Sequence, residues 1–137
     1  MNLAEALLAS DSGRITKLDT KEFEIPRLTK LIGAPFILHL KEIPPKRVRE
    51  IQDASTKIEG NSVSADTYKL YMGLLCAGIT DRDFDNKEVL KHYGAATRAD
   101  LFSKMFTAGE IQDIAQEISN MCGFGKKSTK AVEDVKN

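Results

Sequence analysis

The stretch Ala65–Ile79, ADTYKLYMGLLCAGI, constrains the fold more than any other part of the chain. After Lys69 it carries no charged residue. Tyr68, Tyr71, Met72, Leu75 and Ile79 follow the spacing of one helical face. Leu70, Leu74 and Cys76 fill much of the opposite side. A helix that is apolar nearly all round is buried. It is too short to cross a bilayer, which takes about 20 apolar residues. The stretch therefore predicts a central core helix on which the remaining elements pack.

The other 122 residues have enough material to cover it: the whole chain is 137 residues, a one-domain length. A chain of this size buries roughly two-thirds of its unfolded surface and needs no metal or disulfide to fold. Twenty basic residues balance twenty acidic ones. That balance argues against a nucleic-acid binder, whose affinity rests on many Lys and Arg contacts to phosphate. The two cysteines, Cys76 and Cys122, form no CxxC pair, so a structural zinc site is not indicated and both read as reduced thiols. The start, MNLAEALLASDSGR, lacks the basic segment and apolar run of a secretory signal.

In chain order, Asn2–Ala9 predicts a short helix capped by Asn2, and Ser10–Gly13 a polar break. Phe23 and Ile25 alternate with Glu22 and Glu24, a strand pattern that Pro26 ends or confines to an edge. Leu28–Pro35 reads as a turn region. Phe36–Ile43 reads as a second strand, with Phe36, Leu38 and Leu40 on one face and Ile37, His39 and Lys41 on the other, giving an antiparallel β-hairpin over residues 22–43. Pro44-Pro45 opens a helix to about Lys57 with Val48, Ile51 and Ile58 inward. Residues 59–64 read as a polar loop, with Ser64 capping the central helix over 65–79. The acidic loop TDRDFDN follows. Asn86 caps a helix over 87–93 with Val89, Leu90 and Tyr93 inward, closed by Gly94. Thr97 caps a helix over 98–106. Thr107 and Glu110 form a capping box for a helix over 108–121, with Ile111, Ile114, Ala115 and Ile118 on one face. The expected class is α+β, mostly α-helical: one compact helical domain over residues 1–124 around a central apolar helix, with a small N-terminal antiparallel β-hairpin. Residues 125–137 read as a disordered polar tail.

No motif points to catalysis, a cofactor or a metal. Asp81, Asp83 and Asp85 match the start of a calcium loop, but its sixth and twelfth positions hold Asn86 and His92 instead of Gly and Glu. A solvated loop leading into a helix cap explains the aspartates better. Gly125-Lys126-Lys127-Ser128 lacks the first glycine and the strand that a phosphate-binding loop requires. His39 and His92 have no ligand partner at metal spacing. Glu110, Asp113 and Glu117 read as the wet face of an amphipathic helix. Met72, Met105 and Met121 offer adaptable apolar surface, with Met72 and Met105 assigned to the core. Phe124, between two glycines, is the expected exposed aromatic: it docks on a partner or closes the helix end locally.

The run GAPFILHLKEIPPKRVREI, the central helix, and then DFDNKEVLKHYGAATRADLFSKMFTAGEIQDIAQEISNMCGF resemble the XkdN-like phage tail assembly chaperones. The likeness spans roughly Gly33–Phe124. Its carriers are Asp83-Phe84, Glu88-Val89 or Val89-Leu90, and Tyr93-Gly94; then Leu101-Phe102, Lys104-Met105 and Gly109-Glu110; then Ile118 through Gly123-Phe124. Phe106-Thr107-Ala108 stands where the family has Leu-Leu-Pro, and Ile111 where it often has Tyr. The resemblance implies a non-enzymatic protein of the host bacterial cytoplasm that binds the tape measure protein, promotes tail assembly and is absent from the finished tail. The alternative is a structural or adaptor component of the tail. Other implied partners are the tail tube protein, a longer form of the chain made by a programmed frameshift near Gly125-Lys126-Lys127, and further copies of the chain. No nucleic acid and no membrane are expected. Met121, Phe124, Phe106 and Ile111 are the candidate partner-binding residues.

Overall fold

A computed structural model describes residues 1–125 and 129–132. The predicted core helix is present as α5, Thr67–Gly78. Its cap is Asp66, whose carboxylate accepts from the Lys69 amide at 3.1 Å; that bond holds the carboxyl below its ordinary range. Met72, Leu74, Leu75 and Gly78 are buried, and Ile79 just beyond them is as well. Around α5 lie α4, Pro45–Ala54; α7, Arg98–Met105; and α8, Ala108–Met121, which packs on it most extensively.

Two glycines set how closely these helices approach. A Cβ on Gly73 would lie 2.7 Å from Ile51 Cγ2 of α4. A Cβ on Gly78 would lie 2.7 Å from Ile118 Cδ1 of α8 and 3.0 Å from both its Cγ atoms. α5 is thus clasped on two sides at positions where only a glycine leaves room.

A two-stranded antiparallel sheet covers a further side. β1, Thr20–Glu24, pairs with β2, Ile37–Lys41, in a register that sets Glu22 opposite His39. Leu38 and Leu40 point inward and are fully buried, and Leu40 bridges to Ile79. The expected hairpin exists, but its connection is not a turn. Pro26 sits at the first position of a helix, α3, Pro26–Ile32, where its missing N–H is no loss. Gly33, with φ 79°, ends it, and Thr29 Oγ1 ties Phe36 N (2.9 Å) to Glu24 Oε2 (2.8 Å) across its base.

Other boundaries move for local reasons. Two short N-terminal helices occur, α1, Leu3–Ala9, and α2, Ser12–Thr16, so the expected break over 10–13 is half helical; Asp11 caps α2. Neither helix has a buried residue. α4 stops at Ala54, where Ser55 and Thr56 hydroxyls donate to the Gln52 carbonyl. The chain then forms a second hairpin: β3, Thr56–Glu59, paired with β4, Ser62–Ala65. Ile58 is therefore exposed on a strand rather than buried on α4. Residues 59–64 are not a loop, and the helix cap is Asp66 rather than Ser64. The acidic loop contains a 3-10 turn, Arg82–Asp85, that buries Phe84. α6, Lys87–His92, carries the expected Asn86 cap, but Tyr93 is half-exposed instead of inward. The capping box on α8 is complete in both directions. The class is α+β and mostly helical, with two small antiparallel sheets among the described residues. The expected tail over 125–137 falls mostly outside those residues.

Candidate functional site

The four candidate residues fall at opposite ends of α8. Ile111 and Met121 are ten positions apart, or about 15 Å along a helix axis. Phe106 and Ile111 are both buried, yet both line the floor of an open groove of about 440 Å³ between α5 and the α7–α8 junction. Its other walls are Tyr68 and Tyr71 from α5, with Ser103 and Gln112 at the rim. Tyr68 is 55% exposed and Tyr71 partly buried.

The groove is supported from below by aromatic packing. Phe106 stacks on Phe102 at 5.5 Å and meets Phe36 edge-on at 6.2 Å; Phe84 meets Phe102 edge-on at 5.1 Å. Its α8 wall is fixed by Arg27 of α3. That guanidinium donates to both carboxylate oxygens of Glu110, at 2.9 and 2.8 Å, and to the Met105 carbonyl at 2.7 Å. The bidentate bond holds the Glu110 carboxyl below its ordinary range and raises Arg27. The result is a trough lined by uncharged residues, with two phenol-bearing side chains on one wall. Such rings combine apolar area with a polar tip, the composition of protein-binding surfaces.

At the other end of α8 the chain reverses. Phe124 N donates to Ser119 O at 3.0 Å and Gly123 N to Asn120 O at 3.0 Å, with Gly123 at φ 92°. This is a Schellman closure, with Phe124 one residue beyond the left-handed glycine. Phe124 lines a crevice of about 110 Å³ with Val48, Leu70, Leu74 and Cys122, yet stays 50% exposed. Met121 is partly buried against the core. Local helix closure thus accounts for the position of Phe124.

The acidic loop is occupied by structural work. Arg98, at the start of α7, donates to the carbonyls of Cys76 (3.2 Å), Ile79 (2.8 Å) and Asp81 (2.9 Å). Its remaining N–H groups form a two-point pair with Asp85 at 2.8 and 2.9 Å. It thereby caps the C-terminal end of α5. Asp81 accepts from His39 N at 2.8 Å and meets His39 Nδ1 at 2.7 Å, which raises the imidazole pKa. Two of the three aspartates that imitate a calcium loop thus have structural partners: Asp81 anchors β2 and Asp85 holds Arg98. Among the described residues, no group of three or more His, Cys, Asp or Glu is placed to hold a metal, and no helix is long and apolar enough to cross a membrane. Burial raises both thiols, Cys76 and Cys122.

Sequence reasoning missed Tyr68 as a surface residue by assigning the whole face to the core, where Tyr71 does pack, partly buried. The Tyr68 phenol, at the polar start of the helix, was the available signal.

The model for the phage XkdN-like tail assembly chaperone protein matches residues 4–136. No curated protein matches the chain significantly. A crystal structure of the protein yqbn is similar with a TM-score of 0.58 at 18% identity, over 84% of this chain and 97% of that one. At that identity the likeness concerns the fold.

Proposed function

We propose, on the premise that this chain belongs to the phage XkdN-like tail assembly chaperones, that it performs this role by seating apolar helical segments of the tape measure protein in the Tyr68–Tyr71–Phe106–Ile111 groove. The family is one of chaperones and not of enzymes. The observation that carries the reading is the groove itself: a mainly apolar trough of about 440 Å³, open to solvent, with aromatic side chains on its wall and floor. An amphipathic helix fits such a trough by side chains at i, i+3 and i+4. A tape measure protein is long and exposes apolar helical surface until tube subunits enclose it. Many copies, each binding weakly, hold it soluble by avidity.

In this reading the chain acts in the host bacterial cytoplasm and leaves before the tail is complete. Tail tube subunits displace it from the tape measure protein. A longer form, made by frameshifting near Gly125-Lys126-Lys127, joins tape measure binding to tube recruitment; sequencing the gene for a slippery codon run with an overlapping frame tests that part.

Co-expression decides the main claim. With this chain present, the tape measure protein is expected to become soluble and to co-purify. No rescue and no co-purification overturn the proposal, as does finding the chain by mass spectrometry in purified, finished particles.

A further inference from the structure

The β3–β4 hairpin does nothing for the core. All eight of its residues are exposed, with Ile58 at 74% and Val63 at 70%. An isolated two-stranded hairpin is marginal in water. This one is closed by Gly60-Asn61, with Gly60 at φ 60° and Asn61 not in the left-handed region, the pattern of a type II′ turn. In a two-residue hairpin the flanking pair, Glu59 and Ser62, exchanges hydrogen bonds. Alternation then directs the backbone N–H and C=O of Ile58 away from β4, onto the free outer edge of β3.

That edge reads Thr56-Lys57-Ile58-Glu59 and is complementary to itself. We propose that two copies of this chain pair along β3, antiparallel, about a two-fold axis at Ile58. Ile58 of each copy then exchanges two main-chain hydrogen bonds with Ile58 of the other. Lys57 stands opposite Glu59 of the other copy, and Glu59 opposite its Lys57. Each exposed Lys57 ammonium, now 3.6 Å from Asp66 Oδ2 of its own chain, turns to that Glu59, so two ion pairs form with no like-charge contact. On the opposite face Val63, Ile58 and their counterparts make one continuous strip of four β-branched side chains, since Ile58 and Val63 are already partners. Shifting the register by two residues would break both ion pairs. β4, Ser62-Val63-Ser64-Ala65, offers no such charge pattern. The contact is self-complementary, as a two-fold interface requires, and it does not depend on the tape measure reading.

Register-specific cross-linking tests it in the full chain. Directly opposed residues of an antiparallel pair have Cα atoms about 5.5 Å apart, inside the range a disulfide spans. Under mild oxidation Ile58→Cys is expected to form a covalent dimer at least tenfold faster than Val63→Cys or Thr56→Cys, whose counterparts lie several strand or residue spacings away. Adding Lys57→Glu to Ile58→Cys should slow cross-linking about tenfold at low salt, and adding Glu59→Lys as well should restore it. Circular dichroism verifies that each variant is folded. Equal rates for the three cysteine variants, or no effect of charge reversal and its compensation, would overturn the proposal.

Discussion

Replacing Arg98 by alanine tests how the central helix is held at its C-terminal end. The side chain is only 18% exposed and serves three carbonyls, those of Cys76, Ile79 and Asp81. Counting about 1 kcal/mol net for each such bond gives ~3 kcal/mol. The Asp85 pair is worth little, about 0.5 kcal/mol, because that carboxylate is more than half exposed. The guanidinium also lies 5.9 Å from the Phe102 ring centre, a contact worth about 0.5 kcal/mol at this position. The expected loss is therefore about 3–4 kcal/mol. At about 2.1 cal/mol/K per residue, unfolding 137 residues carries roughly 0.29 kcal/mol/K, so Tm should fall by about 10–14 °C. Arg98→Lys keeps the charge but has one nitrogen in place of a fork, and should recover only about 3 °C. Thermal melts by circular dichroism, with urea titrations alongside, read both variants. A fall of less than 3 °C for Arg98→Ala, or full rescue by lysine, would refute the reasoning.

Three further outcomes follow from particular contacts. Gly78→Ala forces a methyl onto Ile118, which is fully buried and cannot move aside; it should destabilise by about 1–3 kcal/mol despite alanine's better helix propensity. Adding Ile118→Val removes the closest atom and should recover part of the loss, so an unchanged or raised urea midpoint for Gly78→Ala alone contradicts the close approach. Asp81 raises the His39 pKa above its ordinary 6.5; the contribution is complete below 6.5 and disappears as pH rises through the folded value. Wild-type stability should therefore fall across that window relative to His39→Gln, and a difference that grows with pH contradicts it. Arg27 lowers Glu110 below its ordinary 4.5, so that contribution is present above 4.5 and lost as pH falls through the folded value. Acid unfolding of Arg27→Met should lack this component, and an unaltered acid limb would remove Arg27 from the account.

What could be read from the chain tracks how local the cause is. The Asn86, Thr97 and Thr107 caps, with the Glu110 return bond, lie within four residues and were legible. So was the inward face of α8, because its period matches its burial. α3 was not, since only Leu28 of its residues is buried and Pro26 reads equally as the end of a strand. The β3–β4 hairpin was hidden because nothing in it is buried, so Ile58 looked like one more contact of α4. Gly73 and Gly78 interrupt no pattern, and their meaning is the helix lying opposite. Arg98 reaches back 13 to 22 residues to its acceptors, a relation no spacing rule reveals. The expected partner-binding set mixed two ends of α8: Phe106 and Ile111 lie in the groove, while Phe124 finishes the helix.

Affinity for a helical fragment of the tape measure protein, compared between Tyr68→Glu and Phe124→Glu, addresses the central claim most directly. Both side chains are half-exposed, so each variant keeps the core intact. The account predicts at least a tenfold rise in Kd for Tyr68→Glu, equivalent to about 1.4 kcal/mol, with Phe124→Glu within about twofold of the wild type. Loss of binding with Phe124→Glu and none with Tyr68→Glu would contradict it and move the site to the far end of α8.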